Sequence, residues 1–182
     1  MSGWFKVQFG LFAIFVYQVV LNVLPGSAAR ALWLRMVGNA VGANVGLHSW
    51  LRLTWPTRME IGENSTINFG VFLDSRGGIR VGANTMIGHK CSVYSATHDL
   101  DSGEFETVKK PVLIGSNVVI FPHSLVMPGT VIADGAVILP GSVVSGQVGA
   151  NQIFGGVPAK YIRDRNPVQM YKLDYTFWFP NS

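Results

Sequence analysis

Among the residues with chemistry to offer, His98 has the most informative neighbours. It stands in YSATHDLD (residues 94–101), with Asp99 and Asp101 close behind. An imidazole titrates near neutrality and can take a proton from an alcohol, so a histidine at the root of a polar loop reads as a general base. Asp99 or Asp101 could orient its ring, although a solvated loop carboxylate is the plainer reading. His48, His89 and His123 have no such context and read as surface residues. The single cysteine, Cys91, excludes an intramolecular disulfide framework or a cysteine-rich zinc module and points to a reducing compartment.

What could position His98 is legible in a repeat. Every sixth residue from Ile114 is β-branched and aliphatic: Ile114, Ile120, Val126, Ile132, Ile138, Val144. Four positions after each of the first five stand Val118, Ser124, Thr130, Ala136 and Ser142, mostly small. An earlier series runs Ile61, Ile67, Leu73, Ile79, slips by two, and continues Val81, Ile87, Val93; Val41, Leu47 and Leu53 precede it. Neither a helix nor an ordinary strand has a period of six. Short strands ended by tight corners do, and Gly62, Asn64, Gly82, Asn84, Gly88, Gly115, Asn117 and Gly135 suit corners, sometimes at positive φ. Each inward aliphatic is worth about 1.5–3 kcal/mol only if a neighbouring coil covers it, so the repeat implies stacking. Between Val93 and Val112 the step fails, and Asp99–Lys110 is expected as a loop extruded from the stack.

Composition agrees. The 182 residues suffice for one ordinary domain, with 48% hydrophobic and 13% charged residues against about 25% in a typical globular chain. The mean hydropathy of +0.31 excludes disorder, and only one stretch approaches membrane-spanning length. A net charge of +4 with no Lys/Arg run gives no face for nucleic acid.

The repeat, of the form aliphatic-Gly-x-x-small-x, resembles that of the hexapeptide-repeat acyltransferases. FLDSRGGIRVG (72–82), YSATHDLD, KPVLIG (110–115) and GGVPAKYIR (155–163) follow in that family's order and look most like its sugar O-acetyltransferase branch (galactoside, maltose and colanic acid acetyltransferases). The resemblance covers residues 39–163. It implies an all-β fold, a left-handed parallel β-helix, with acetyl-CoA as acyl donor, His98 as general base, and trimers with active sites between subunits. It places Asp74 and Asn68 near the acceptor sugar, with Asp99 as a third candidate, and Ser124, Ser145, Lys160 and Arg163 near CoA. The basic pair suits phosphates, and a solvated charge pair on a short helix is the alternative. The chain departs from the family at Val119 and Pro122, where proline has no N–H to offer and His123 or Ser124 would have to donate instead. Ser145-Gly146 replaces a Thr-Lys pair. A zinc enzyme also uses this fold, but His89, His98 and His123, spaced by 9 and 25, do not match its ligand pattern, so no metal is expected.

Residues 1–38 follow other rules. Phe9–Leu24 has only Gln18 and Asn22 as polar residues, and Arg30 and Arg35 follow beside Leu32, Trp33 and Met36. An apolar helix followed by a basic, Trp-bearing segment suits the cytoplasmic membrane surface through residues 4–36. Docking on the β-helix or on a second subunit, and a signal peptide, are the alternatives. The expected division is therefore a docking segment (1–38), a β-helix domain (39–156) with an extruded loop (99–111), and a C-terminal helix with an aromatic tail (157–182). The tail, ending YTFWFPNS, is expected to be buried against the body or a partner chain. The expected function is acetyl-CoA-dependent O-acetylation of a sugar hydroxyl in surface polysaccharide or glycan modification, by a cytoplasmic homotrimer peripheral to the inner membrane face. N-acetylation of an amino sugar, acetylation of an antibiotic, and a non-catalytic β-helix scaffold are the alternatives.

Overall fold

The computed structural model describes residues 3–166 and 171–173. Two helices, α1 (Gly3–Val23) and α2 (Gly26–Met36), precede a column of three-strand coils. Coil one is β1 (Ala40–Val41), β2 (Gly46–Leu47) and β3 (Arg52–Leu53); coil two is β4 (Met59–Ile61), β5 (Thr66–Ile67) and β6 (Phe72–Asp74). Coil three is β7 (Ile79–Val81), β8 (Met86–Ile87) and β9 (Ser92–Tyr94), after which a hairpin, β10 (Ala96–His98) and β11 (Thr107–Lys109), leaves the column. Coil four is β12 (Val112–Ile114), β13 (Val119–Ile120) and β14 (Leu125–Val126); coil five is β15 (Val131–Ile132), β16 (Val137–Ile138) and β17 (Val143–Val144). β18 (Gln147–Val148), β19 (Gln152–Gly156) and β20 (Ala159–Asp164) end it. Equivalent strands pair in parallel into three faces: β1-β4-β7-β12-β15-β18, β2-β5-β8-β13-β16-β19 and β3-β6-β9-β14-β17.

The six-residue series is the core. Ile114, Ile120, Val126, Ile132, Ile138 and Val144 are at most 2% exposed, and the small positions Val118, Ser124, Thr130, Ala136 and Ser142 are wholly buried. Ile61 stacks on Val41 and under Val81, and Val81 stacks under Ile114, so the hairpin is inserted without breaking the column. The corner residues divide their work differently from the expectation. Positive φ falls on Asn44, Asn64, Asn84, Asn117 and Gly135, whereas Gly62, Gly82, Gly88 and Gly115 are not at positive φ. Gly82 is needed for space: a Cβ there would lie 2.5 Å from the carbonyl carbon of Gly115 in the next coil.

The first coil exposes an edge that α1 and α2 cover. The Gln18 amide donates to Leu51 O and accepts from Leu53 N, and Asn22 Nδ2 donates to Leu51 O at 3.0 Å. Ser27 Oγ accepts from Leu47 N, and Arg30 Nη1 donates to Leu47 O at 3.0 Å. The two polar interruptions of the apolar run thus satisfy strand-edge groups that would otherwise be orphaned. Docking of the helical segment on the β-helix, held as an alternative, is realised. Of the basic residues expected to meet lipid, Arg30 is turned inward and 5% exposed, while Arg35 stays exposed and donates to the carbonyls of Val41 and Gly42. Among the described residues no helix is long and apolar enough to cross a membrane.

The expected C-terminal helix is not formed. Residues 159–164 are the strand β20, antiparallel to β19, because the last coil also has an open edge, which β20 pairs and a helix would leave unsatisfied. The aromatic tail from Asp174 lies outside the described residues.

Candidate active site

The base of the hairpin is built from coils two and three. Ser95 is wholly buried; its amide and hydroxyl both donate to Asp74 O, its hydroxyl accepts from Gly77 N, and its carbonyl accepts from Lys110 N at 2.9 Å. Ala96, Thr97 and His98 pair with Lys109, Val108 and Thr107. The extruded loop is therefore an antiparallel hairpin rather than irregular chain, and it presents His98 in solvent from a fixed root.

The His98 ring is held by one residue. Its Nδ1 lies 2.9 Å from Phe105 O, and its plane stacks on the Phe105 ring with 4.3 Å between centroids. A carbonyl can only accept, so Nδ1 carries the hydrogen and the neutral ring keeps its lone pair on Nε2. That is the tautomer a general base needs. The orienting role considered for Asp99 or Asp101 is filled by Phe105; Asp99 Oδ1 instead accepts from Asp101 N at 3.0 Å. Phe105 was detectable as the one aromatic residue among the dozen of the expected loop.

Asp74 lies directly below Tyr94 in the stack and is 1% exposed, its carboxylate paired with Arg76. Asn68 sits on another corner, buried, with Nδ2 donating to Ile87 O at 3.0 Å. Two cations that sequence reasoning passed over converge near Asp74. Arg58 donates from Nη1 to Arg76 O at 2.9 Å, and Lys109 reaches the same cleft from β11.

Residues 111–146 match the family described as bacterial transferase hexapeptide (six repeats). A protein of Escherichia coli K12 named as a colanic acid biosynthesis acetyltransferase, WcaF, is 31% identical over 136 residues, 75% of this chain and 75% of that one. The chain belongs to the hexapeptide-repeat acetyltransferases. A maltose O-acetyltransferase from Clostridium difficile 630 superposes with a TM-score of 0.79 at 25% identity over 85% of this chain and 86% of that one. A hexapeptide-repeat acetyltransferase from Vibrio cholerae, solved with acetyl coenzyme A, gives 0.78 at 25% identity over 85% and 86%.

The other sequence candidates of this acetyltransferase separate by location. Ser124 is wholly buried, and its hydroxyl shares its one hydrogen between Phe121 O and Leu139 O. Ser145 is exposed after β17, and Lys160 and Arg163 are exposed on β20. His123 N donates to His89 O at 3.0 Å, so that amide is already committed where Pro122 cannot donate. His48 is only half-buried, and burial first, then the charges of His89 and Arg30, lower its pKa. Among the described residues no three His, Cys, Asp or Glu side chains cluster as a metal site.

Proposed function

We propose that the protein transfers the acetyl group of acetyl-CoA to a sugar hydroxyl, with His98 as general base. The observation that carries this reading is the Nδ1–H···O=C bond to Phe105, which leaves Nε2 free to accept a proton. Acetyl-CoA would supply an electrophilic thioester carbonyl. His98 Nε2 takes the hydroxyl proton as the acceptor oxygen bonds to the carbonyl carbon; the carbon–sulfur bond then breaks, and the proton passes to the departing thiolate, giving CoA-SH and the O-acetyl sugar. The reading is supported by the relatives named for colanic acid and maltose and by the one solved with acetyl coenzyme A. Lys160, Arg163 and Ser145 are the residues offered for CoA, the basic pair for its phosphates. Asp74 and Asp99 remain acceptor candidates through carboxylate oxygens.

The assembly belongs to the same proposal: a homotrimer in which a neighbouring subunit completes each site, tested by sedimentation of the active species. Residence at a membrane surface rests on the apolar outer face of α1, where Leu11, Phe12, Phe15 and Val19 are 44–63% exposed, and is tested by flotation with vesicles.

The deciding assay is thiol release from acetyl-CoA across a panel of sugars, beside His98→Ala. A fall of about 10²–10⁴ in kcat is expected. Turnover surviving unchanged in the variant removes His98 from the role.

A further inference from the structure

Two neighbouring cavities share one wall. The first is a groove of about 530 Å³ between the helices and the corner that joins β3 to β4, lined by Phe12, Val16, Trp33, Val37, Trp55 and Pro56 among others, with almost no polar surface. Its size falls in the range of about 300–1,000 Å³ typical of small-molecule sites. The second is a small cleft of about 80 Å³ lined by Trp55, Arg58, Arg76 and Lys109. Trp55 belongs to both. Its corner is fixed, because Ser75 Oγ lies 2.9 Å from both Trp55 O and Thr57 O and shares its one hydrogen between them.

The cleft holds three cations against one adjoining carboxylate, Asp74, which Arg76 already neutralises. Two positive charges remain. Lys109 ties the cleft to the β10–β11 hairpin: it pairs with Ala96, two residues from His98 on the same side of the strand, or about 7 Å along it. The order in space is therefore apolar groove, tryptophan, cationic cleft, base.

We infer that the acceptor sugar is delivered on an apolar chain through a phosphate or diphosphate, with the chain in the groove, the phosphate between Arg58 and Lys109, and the sugar at His98. The inference rests on the sugar O-acetylation reading and narrows its substrate class. A protein helix does not call for a surplus of positive charge at one end of the groove, and a lipid surface, though its anionic headgroups attract cations, does not call for them to stand beside the hairpin. An amphiphile with an anionic link does.

The test uses calorimetry on the full chain with farnesyl diphosphate and inorganic pyrophosphate as probes. Farnesyl diphosphate is expected to bind at least about tenfold tighter than pyrophosphate. The exposed pair Arg58→Gln and Lys109→Gln should weaken both probes, whereas Ala13→Phe, which fills the groove, should weaken farnesyl diphosphate alone. Equal affinity for the two probes overturns the inference, as does farnesyl diphosphate binding that neither variant disturbs while both stay folded by circular dichroism. Binding is read without acetyl transfer, so the two readings fail separately. Tight farnesyl diphosphate binding with no thiol release against any sugar would sink the acetylation reading. Faster acetylation of a free sugar than of the same sugar on farnesyl diphosphate would sink the inference alone.

Discussion

Arg76 grips Asp74 with both arms of its guanidinium, Nε 2.9 Å from Oδ1 and Nη2 2.7 Å from Oδ2, at a carboxylate that solvent barely reaches. The pair sits at the foot of the β10–β11 hairpin, two residues apart in the chain, and its geometry is bidentate rather than a loose surface contact. Arg76→Met should cost about 1–3 kcal/mol, because Asp74 is left buried without its cation, while the partly exposed position of Arg76 lets solvent offset part of the loss. Adding Asp74→Asn to that variant should restore part of the loss. Urea denaturation of the two single variants and the double variant measures the coupling directly.

Phe105 supplies both a ring face and a carbonyl to His98. Phe105→Ala keeps the carbonyl and removes the stacking, so the imidazole regains rotational freedom. The expected result is a fall in kcat of about 10–100-fold with the acceptor KM little changed. A change confined to KM would mean that the ring serves the substrate instead of the base.

Gly82→Ala pushes a methyl into the backbone of the next coil and should destabilise by about 1–3 kcal/mol or more. Gly103→Ala, at a loop position with open space around it, should leave the melting temperature nearly unmoved. The contrast separates close approach of coils from loss of backbone freedom.

Stability should depend on pH through His48. Burial lowers its pKa below the ordinary 6.5, with His89 and Arg30 adding to the effect, so the unfolded chain binds the proton more readily than the folded one. Its contribution is therefore present above about 6.5 and is lost as pH falls through the lower folded value. His48→Gln should flatten the decline in melting temperature between pH 7 and 5, a window above the carboxylate range in which Glu60, held down chiefly by its hydrogen bond to Arg80, titrates. An identical decline in the variant would assign that pH dependence elsewhere.

The column was readable because its period is unlike that of any other secondary structure, and because burial demands the same residue at every coil. Ile114 through Val144 could be listed in advance as core. The insertion point was legible too, as the place where the period stops. What periodicity cannot convey is how the ends are finished. Gln18 and Asn22 looked like flaws in an apolar helix, yet they answer the strand groups of Leu51 and Leu53 across a sequence gap of about thirty residues. GGVPAKYIR carries no alternation strong enough to declare a strand, and the edge of β19 decides its form. The cleft escaped for a similar reason: Arg58, Arg76 and Lys109 become neighbours only once coil length and the hairpin insertion are both known.

The covering of the first coil by its own chain has a consequence for how copies meet. A stack of parallel strands with bare ends would template further molecules along its axis and grow into fibres. Here α1 and α2 cover the edge of the first coil, whereas at the other end β20 pairs with β19 alone, so axial contact is blocked at one end. With one end covered, end-to-end contact can join no more than two columns, and the stack cannot propagate.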